Sequence, residues 1–194
     1  TNGSLGYYDS NWNYFDTPNT NELTYTYPVS VNGKYYFYSK DDAGNVSVKE
    51  FVVSNIDKLK PTCSAITGQA TLSCSDPAKN NDYGQSKIVK YYWGTESNPA
   101  TSKFNNVTPA AATFSKNETA TQGTGTNYYV IVIDQAGNRS DSVSDSYYTV
   151  TYAGNTGTTP TKTSDIKRKG TAADLTPTSS KTGYTFLGLN TSST

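Results

Sequence analysis

A chain of 194 residues with 16 basic and 16 acidic side chains lacks the basic face needed to neutralise nucleic-acid phosphates, and none of its apolar runs approaches the ~20 residues of a membrane-spanning helix. The absence of histidine excludes a Ser-His-Asp triad, a Cys-His pair and any His-based metal site, and two cysteines cannot build a zinc site that needs four thiolates. Hydrophobic residues amount to 34%, with 17 tyrosines among them. This disfavours one large core and suits small β-modules, in which a tyrosine ring packs on a sheet and its hydroxyl stays in water.

Runs rich in Tyr, Val, Ile, Thr and Phe at 35–39, 51–54, 88–93, 128–133 and 147–152 are separated by Gly, Asn, Asp and Pro clusters, which predicts strands. No apolar pattern of helical period is sustained, and the Thr, Ser and Asn content opposes helix. The chain reads as all-β. With no methionine and no leader segment, it is expected to be a piece of a longer protein.

Tyr35 to Ser47 recurs as Tyr128 to Ser140, at an offset of 93 residues, about the length of one immunoglobulin-like sandwich. Each copy is a strand followed by a turn. In Asp134-Gln135-Ala136-Gly137, Asp suits the first position of a type I turn, where its carboxylate accepts bonds from the turn amides. Gly137 suits the left-handed conformation of a bulge. Asp41, Gly44 and Asn45 are the equivalents of Asp134, Gly137 and Asn138. Before the second turn, Tyr128, Val130 and Val132 share one face and Tyr129, Ile131 and Ile133 the other. Both faces are apolar, so this strand is expected to be central in its sheet and covered on one side. The first copy is more polar, with Tyr36, Tyr38 and Lys40.

The first unit, residues 1–56, is expected to be N-terminally incomplete, because its turn arrives only 40 residues after Thr1. A short Pro-stiffened junction, Ser54 to Thr62, leads into a second unit at 57–148. There Cys63 to Cys74 reads as a hairpin around Gly68-Gln69. A two-residue type II′ turn sets Cys63 opposite Cys74 and Ala65 opposite Leu72. A cross-strand disulfide is compatible with that register, and closing so short a loop stabilises by about 2–3 kcal/mol on the chain-entropy model; two buried free thiols are the alternative. A third unit at 149–194 is expected to hold strands at 149–152 and 183–188 around a polar Thr-rich stretch, and to lean on its neighbour for want of apolar area. Lys167-Arg168-Lys169 reads as a solvated turn.

Chemistry is sparse. Glu22, Glu50, Glu96 and Glu118 have no cleft-like context for acid–base work, so no catalytic residue is assigned. No cofactor is expected apart from calcium, for which Asp134, Asn138 and Asp141, or Asp41, Asp42 and Asn45, offer hard oxygens beside a turn; the alternative is that each Asp only caps its own turn. Trp93, Tyr91 and Tyr129 are candidates for a glycan-stacking platform, against the reading that they are core.

The two Asp-x-Ala-Gly-Asn turns, the Asn55-Ile56-Asp57-Lys58 junction with its Pro61-Thr62-Cys63, and the strand Lys90-Tyr91-Tyr92-Trp93-Gly94 resemble bacterial Ig-like domains across residues 1–148. Tyr148 to Tyr152 followed by Lys181-Thr182-Gly183-Tyr184-Thr185-Phe186-Leu187-Gly188 is similar to a Listeria–Bacteroides repeat, the internalin B type, a small β-grasp-like unit. Such repeats usually carry Trp where this chain has Leu189. The resemblance implies tandem Ig-like β-sandwiches with a β-grasp-like tail, on a bacterial cell surface or secreted. The 93-residue repeat with its short Pro-containing junction suggests a spacer or stalk, whose expected partners are neighbouring domains of the same protein. An adhesin with a host or glycan ligand and a phage or appendage fibre module are the alternatives; neither nucleic acid nor membrane insertion is expected.

Overall fold

The computed structural model describes residues 4–8, 14–16, 28–40, 43–78, 80, 83–154 and 156–189. The strands are β1 (Ser4–Tyr8), β2 (Tyr14–Asp16), β3 (Gly33–Lys40), β4 (Val46–Val53), β5 (Thr62–Cys63), β6 (Thr71–Ser75), β7 (Ile88–Gly94), β8 (Asn105–Ala111), β9 (Thr113–Asn117), β10 (Thr124–Asp134), β11 (Val143–Thr151) and β12 (Ser164–Arg168). Among the described residues the one helical element is a single 3-10 turn at Thr101–Lys103. The fold is all-β, as the strand-forming runs predict, in three antiparallel sheets ordered β2-β1-β3-β4, β5-β6-β9 and β8-β7-β10-β11-β12.

The second and third sheets face each other. Leu72 and Cys74 of β6 and Phe114 of β9 meet Ile88 and Tyr91 of β7 and Val130 and Val132 of β10 in one buried cluster. The pleat selects these residues: along β6 and β10 every second side chain enters the core. At the other end Ala70, Ala120, Tyr128 and Tyr147 close the core together with Trp93, and the Trp93 and Tyr128 ring centroids lie 4.9 Å apart.

β10 lies between β7 and β11, central as expected, but its middle, around Ile131, is covered on both faces rather than one. Its outer residue Ile131 is 1% exposed, and its cross-strand partner Tyr92 is also buried. The cover is the segment after β7. Phe104 packs 5.7 Å from Tyr92, Glu96 N–H donates to the Tyr92 hydroxyl, and Arg139 lies over the Phe104 ring while donating to the Pro99 carbonyl.

The turn after β10 has the expected form. Gly137 N–H bonds the Asp134 carbonyl and Asn138 N–H bonds Asp134 Oδ1, with Gly137 at φ 92°. Gly44 has φ 91° in the first copy, where Asp41 and Asp42 lie outside the described residues. Lys40 pairs Val46 and Ile133 pairs Arg139, the same register one repeat apart. The first sheet, β2-β1-β3-β4, moreover has the strand order of β8-β7-β10-β11. Among the described residues the first unit has no second sheet, and Val46, Val48, Phe51 and Val52 of β4 are exposed.

Cys63 pairs directly with Cys74, and the two form a disulfide with a Cα–Cα distance of 4.0 Å. The neighbouring pair carries the hydrogen bond, Ser64 N–H to the Ser73 carbonyl, so the cysteines occupy the closely spaced non-hydrogen-bonded position. The turn is longer than the expected two residues. Thr67 bridges Thr71, leaving Gly68, Gln69 and Ala70 in the loop; with one extra residue at the tip, the strand register survives only through a local irregularity.

β11 runs through the unit boundary expected at 148/149, and β12 adds to its edge as a fifth strand. Arg168 is not in a solvated turn, because it ends β12 and is bonded on several sides. Its guanidinium pairs with Asp145 at 2.7 Å and donates to the Gly68 carbonyl, while the Tyr147 hydroxyl donates to the Gln69 carbonyl. The basic run thus ties the hairpin tip of one sheet to the edge of the other. The strand expected at 183–188 does not form. Tyr184 and Leu187 there are exposed, and without a buried partner face the β-prone side chains gain nothing from extension.

A Cβ on Gly137 meets no atom within 4 Å, so only the backbone resists substitution. Gly137→Val is expected to destabilise the second unit by roughly 1–3 kcal/mol through its positive φ, read as a lower thermal midpoint; an unchanged midpoint would refute the turn. Alkylation of the denatured protein without reductant is expected to label neither Cys63 nor Cys74, and labelling of both would show free thiols.

Candidate functional site

The junction between the first two units is held from both sides. Asn32, just before β3, bonds the Ile56 carbonyl through Nδ2 (2.9 Å) and the Ile56 N–H through Oδ1 (2.8 Å). From the second unit, Gly84 N–H donates to the same carbonyl at 2.6 Å. A Cβ on Gly84 would lie 3.3 Å from the Ser54 carbonyl oxygen, so glycine allows this close approach of two backbones. Asp57 continues the fastening: its carboxylate accepts from Leu59 N–H and Ser86 N–H, and its carbonyl accepts from Asn138 Nδ2.

Asp57 is also one corner of a cluster. β6 and β10, in opposite sheets, end near each other: Asp76 follows the last residue of β6, and Asp134 is the last residue of β10. One carboxylate oxygen from each of Asp57, Asp76 and Asp134 lies within 4.8 Å of the others. Asp134 is 1% exposed and Asp76 4%. Asn138 donates to Asp134 through its backbone and side-chain nitrogens, both at 2.8 Å, so Asp134 caps its own turn and serves the cluster at once. Asp76 differs. Its backbone is fixed by Ala112 and Gln85, but neither carboxylate oxygen has a hydrogen-bond partner. Among the described residues no Lys or Arg forms an ion pair with any of the three.

Burial pushes the Asp76 carboxyl up to about 6 and the charges of Asp57 and Asp134 add to the rise; the nearby Ser86 N–H, whose hydrogen bond goes to Asp57 rather than to Asp76, partly offsets it through its dipole. An unpaired buried carboxylate beside two others is costly to ionise. Asp76 and Asp134 present almost no surface, so the arrangement is suited to an ion rather than to an organic substrate.

The remaining candidates are dispersed. Asp141 has a side chain 92% exposed, paired with Lys60 at 3.5 Å, and Asn138 turns its amide N–H toward the carboxylates; the calcium set Asp134, Asn138 and Asp141 is therefore not assembled. Of the alternative set Asp41, Asp42 and Asn45, the two aspartates lie outside the described residues. Tyr91, Trp93 and Tyr129 do not form one platform. Tyr91 pairs Val132 and Trp93 pairs Val130, both on the core face. Tyr91 stacks on Phe114 at 5.0 Å, and Trp93 Nε1–H donates to the Thr119 carbonyl. Tyr129 sits opposite Gly94 on the other face. Sequence reasoning missed Asp57 and Asp76 as site residues; the available signal was an Asp at a strand end beside Pro77 and another in the junction.

Comparison with protein-family models, with curated proteins and with solved structures finds no match to this chain. The reading of its function rests on the geometry above.

The folded-state pKa of Asp76 lies above its unfolded value, so its ionisation opposes folding. That penalty is absent below about pH 4, grows as pH rises toward 6 and is complete above it, on the order of 2–3 kcal/mol. In metal-free buffer Asp76→Asn is expected to melt above the parent protein at pH 7 and to lose that advantage by pH 4. Parallel melting curves across this range would show that Asp76 is not strained.

Proposed function

We propose that this chain is a non-catalytic spacer segment of a bacterial cell-surface protein, made of tandem Ig-like β-sandwiches that present a distal domain. The observation that carries the reading is the fastened junction. Asn32 grips both polar groups of Ile56 from the first unit, and Gly84 and Asp57 hold the same stretch to the second. A joint with its backbone groups bonded to both neighbours resists bending, as a stalk needs; a Gly/Ser-rich flexible tether would not.

Three further features support it. The sandwich order β5-β6-β9 against β8-β7-β10-β11 is an arrangement used by Ig-like domains. Tyr128, near the start of β10, accepts hydrogen bonds at its hydroxyl from Thr121 N–H and Gln122 N–H, seven and six residues upstream, in the manner of the tyrosine corner of such sandwiches. The disulfide fits an oxidising, extracellular setting. In this reading the segment after 148 is a brace on the second unit, since its strand β12 completes that unit's sheet; the resemblance to a Listeria–Bacteroides repeat then concerns the sequence of a tail that packs differently. The glycan-binding alternative loses its surface, because Tyr91 and Trp93 face the core.

Small-angle scattering of the whole chain tests the reading. A compact 194-residue globule has a radius of gyration of about 16 Å, and a stiff spacer is expected to exceed it clearly, with a pair-distance distribution tailing to long vectors. Asn32→Ala is expected to broaden that distribution by freeing the joint. A value near the compact figure, or an insensitive Asn32→Ala, would sink the proposal.

A further inference from the structure

We propose that Asp57, Asp76 and Asp134 bind one hard divalent cation, calcium in preference to magnesium, which fastens the junction to the ends of both sheets of the second unit. Two independent observations converge on this. The first is the cluster itself, three carboxylate oxygens within 4.8 Å of one another with no described basic side chain paired to them. The second is Asp76, 4% exposed and with both oxygens lacking any hydrogen-bond partner. Buried carboxylates are normally hydrogen-bonded or ion-paired, because the interior does not replace the water they lose. An oxygen aimed into a carboxylate cluster without a donor is placed as a metal ligand would be.

The chemistry of the donors selects the ion. Three carboxylates with no imidazole or thiolate favour a hard cation over zinc or copper. Ca–O distances of about 2.3–2.6 Å let coordinating oxygens lie up to about 5 Å apart, a span into which these three, all within 4.8 Å of one another, fall. The shorter Mg–O distance of about 2.1 Å demands tighter convergence in near-octahedral order. The hydrogen bonds already made do not exhaust the other two carboxylates, since each has about four lone-pair directions and only two are used in Asp134. Ser86, whose amide binds Asp57, also carries a buried hydroxyl without a partner, a neutral oxygen of the kind calcium sites use alongside carboxylates and water.

The placement gives the ion a consequence. Asp57 belongs to the junction, Asp76 follows β6 of the three-stranded sheet, and Asp134 ends β10 of the five-stranded one. One ion on all three joins elements that otherwise meet there through hydrogen bonds. Its binding does not depend on the spacer reading.

The rival explanation is a proton on Asp76 in place of a metal, and the test separates the two. The whole chain, stripped with chelator, is titrated at pH 7.5 with calcium chloride and with magnesium chloride in a calorimeter and in thermal melts. One calcium per chain is expected, with a melting-point rise of roughly 10 °C at a hundredfold excess over the dissociation constant and a smaller response to magnesium. Asp76→Asn is expected to fold, to melt above the parent in chelator and to gain little from calcium. Asp141→Asn, at an exposed position outside the cluster, keeps the full response. Absence of heat and of any melting shift with calcium overturns the proposal, and so does an undiminished response of Asp76→Asn. Scattering reads the spacer proposal separately: an elongated particle with no calcium response defeats only the metal site, and a compact particle that binds calcium defeats only the spacer.

Discussion

Over Val130–Val132 water reaches neither face of β10, and most of the second unit follows from that. With Val130 and Val132 against the three-stranded sheet and Ile131 buried beside Tyr92, on which Phe104 packs, the strand needs a layer on each side. The first layer fixes where β6 and β9 lie. The second fixes the path through Pro99 and Phe104, with Arg139 stacked on top. A strand so enclosed cannot slip by one residue without exchanging its two apolar rows against differently shaped surfaces. Its end is therefore a fixed point, and Asp134 is delivered to one place.

That fixed point explains why one short motif has two jobs. Asp134 closes its turn through Asn138, and the same Asn138 reaches the Asp57 carbonyl. The turn is consequently coupled to the junction, and the junction, through Asn32, to the preceding unit. Among the described residues, continuity of hydrogen bonds runs from one module to the next, which suits a chain only 34% hydrophobic.

Much of the framework was legible from sequence because it is local. Runs of β-forming residues between turn formers identified β3, the end of β4, β7, β10 and β11; the Asp-x-Ala-Gly-Asn spacing identified the turn; and the symmetry of a short hairpin placed Cys63 opposite Cys74 even though the loop proved one residue longer. What was not legible depends on long-range placement. Asp57 and Asp76 are 19 positions apart and each looks like an ordinary turn former; only the meeting of two strand ends under the junction makes them neighbours. Tyr91 and Trp93 could be read as a platform or as core, because aromatic residues on a strand carry no label for which face is inward; the structure gives the core reading. Residues 183–188 have strand composition, but composition does not supply the partner edge a strand requires, and Arg168 hid a structural anchor inside what read as a solvated run.

The disulfide has a mechanical side as well. If tension is applied along the chain, load entering the second unit arrives at Thr62 and reaches Cys63 immediately, where the sulfur bond carries it straight across to Cys74. The hairpin tip between them is bypassed, so roughly 30 Å of contour length stays locked even when the flanking sheet gives way. Extension under force is thereby shortened where the pull first enters this unit, until a reductant opens the link.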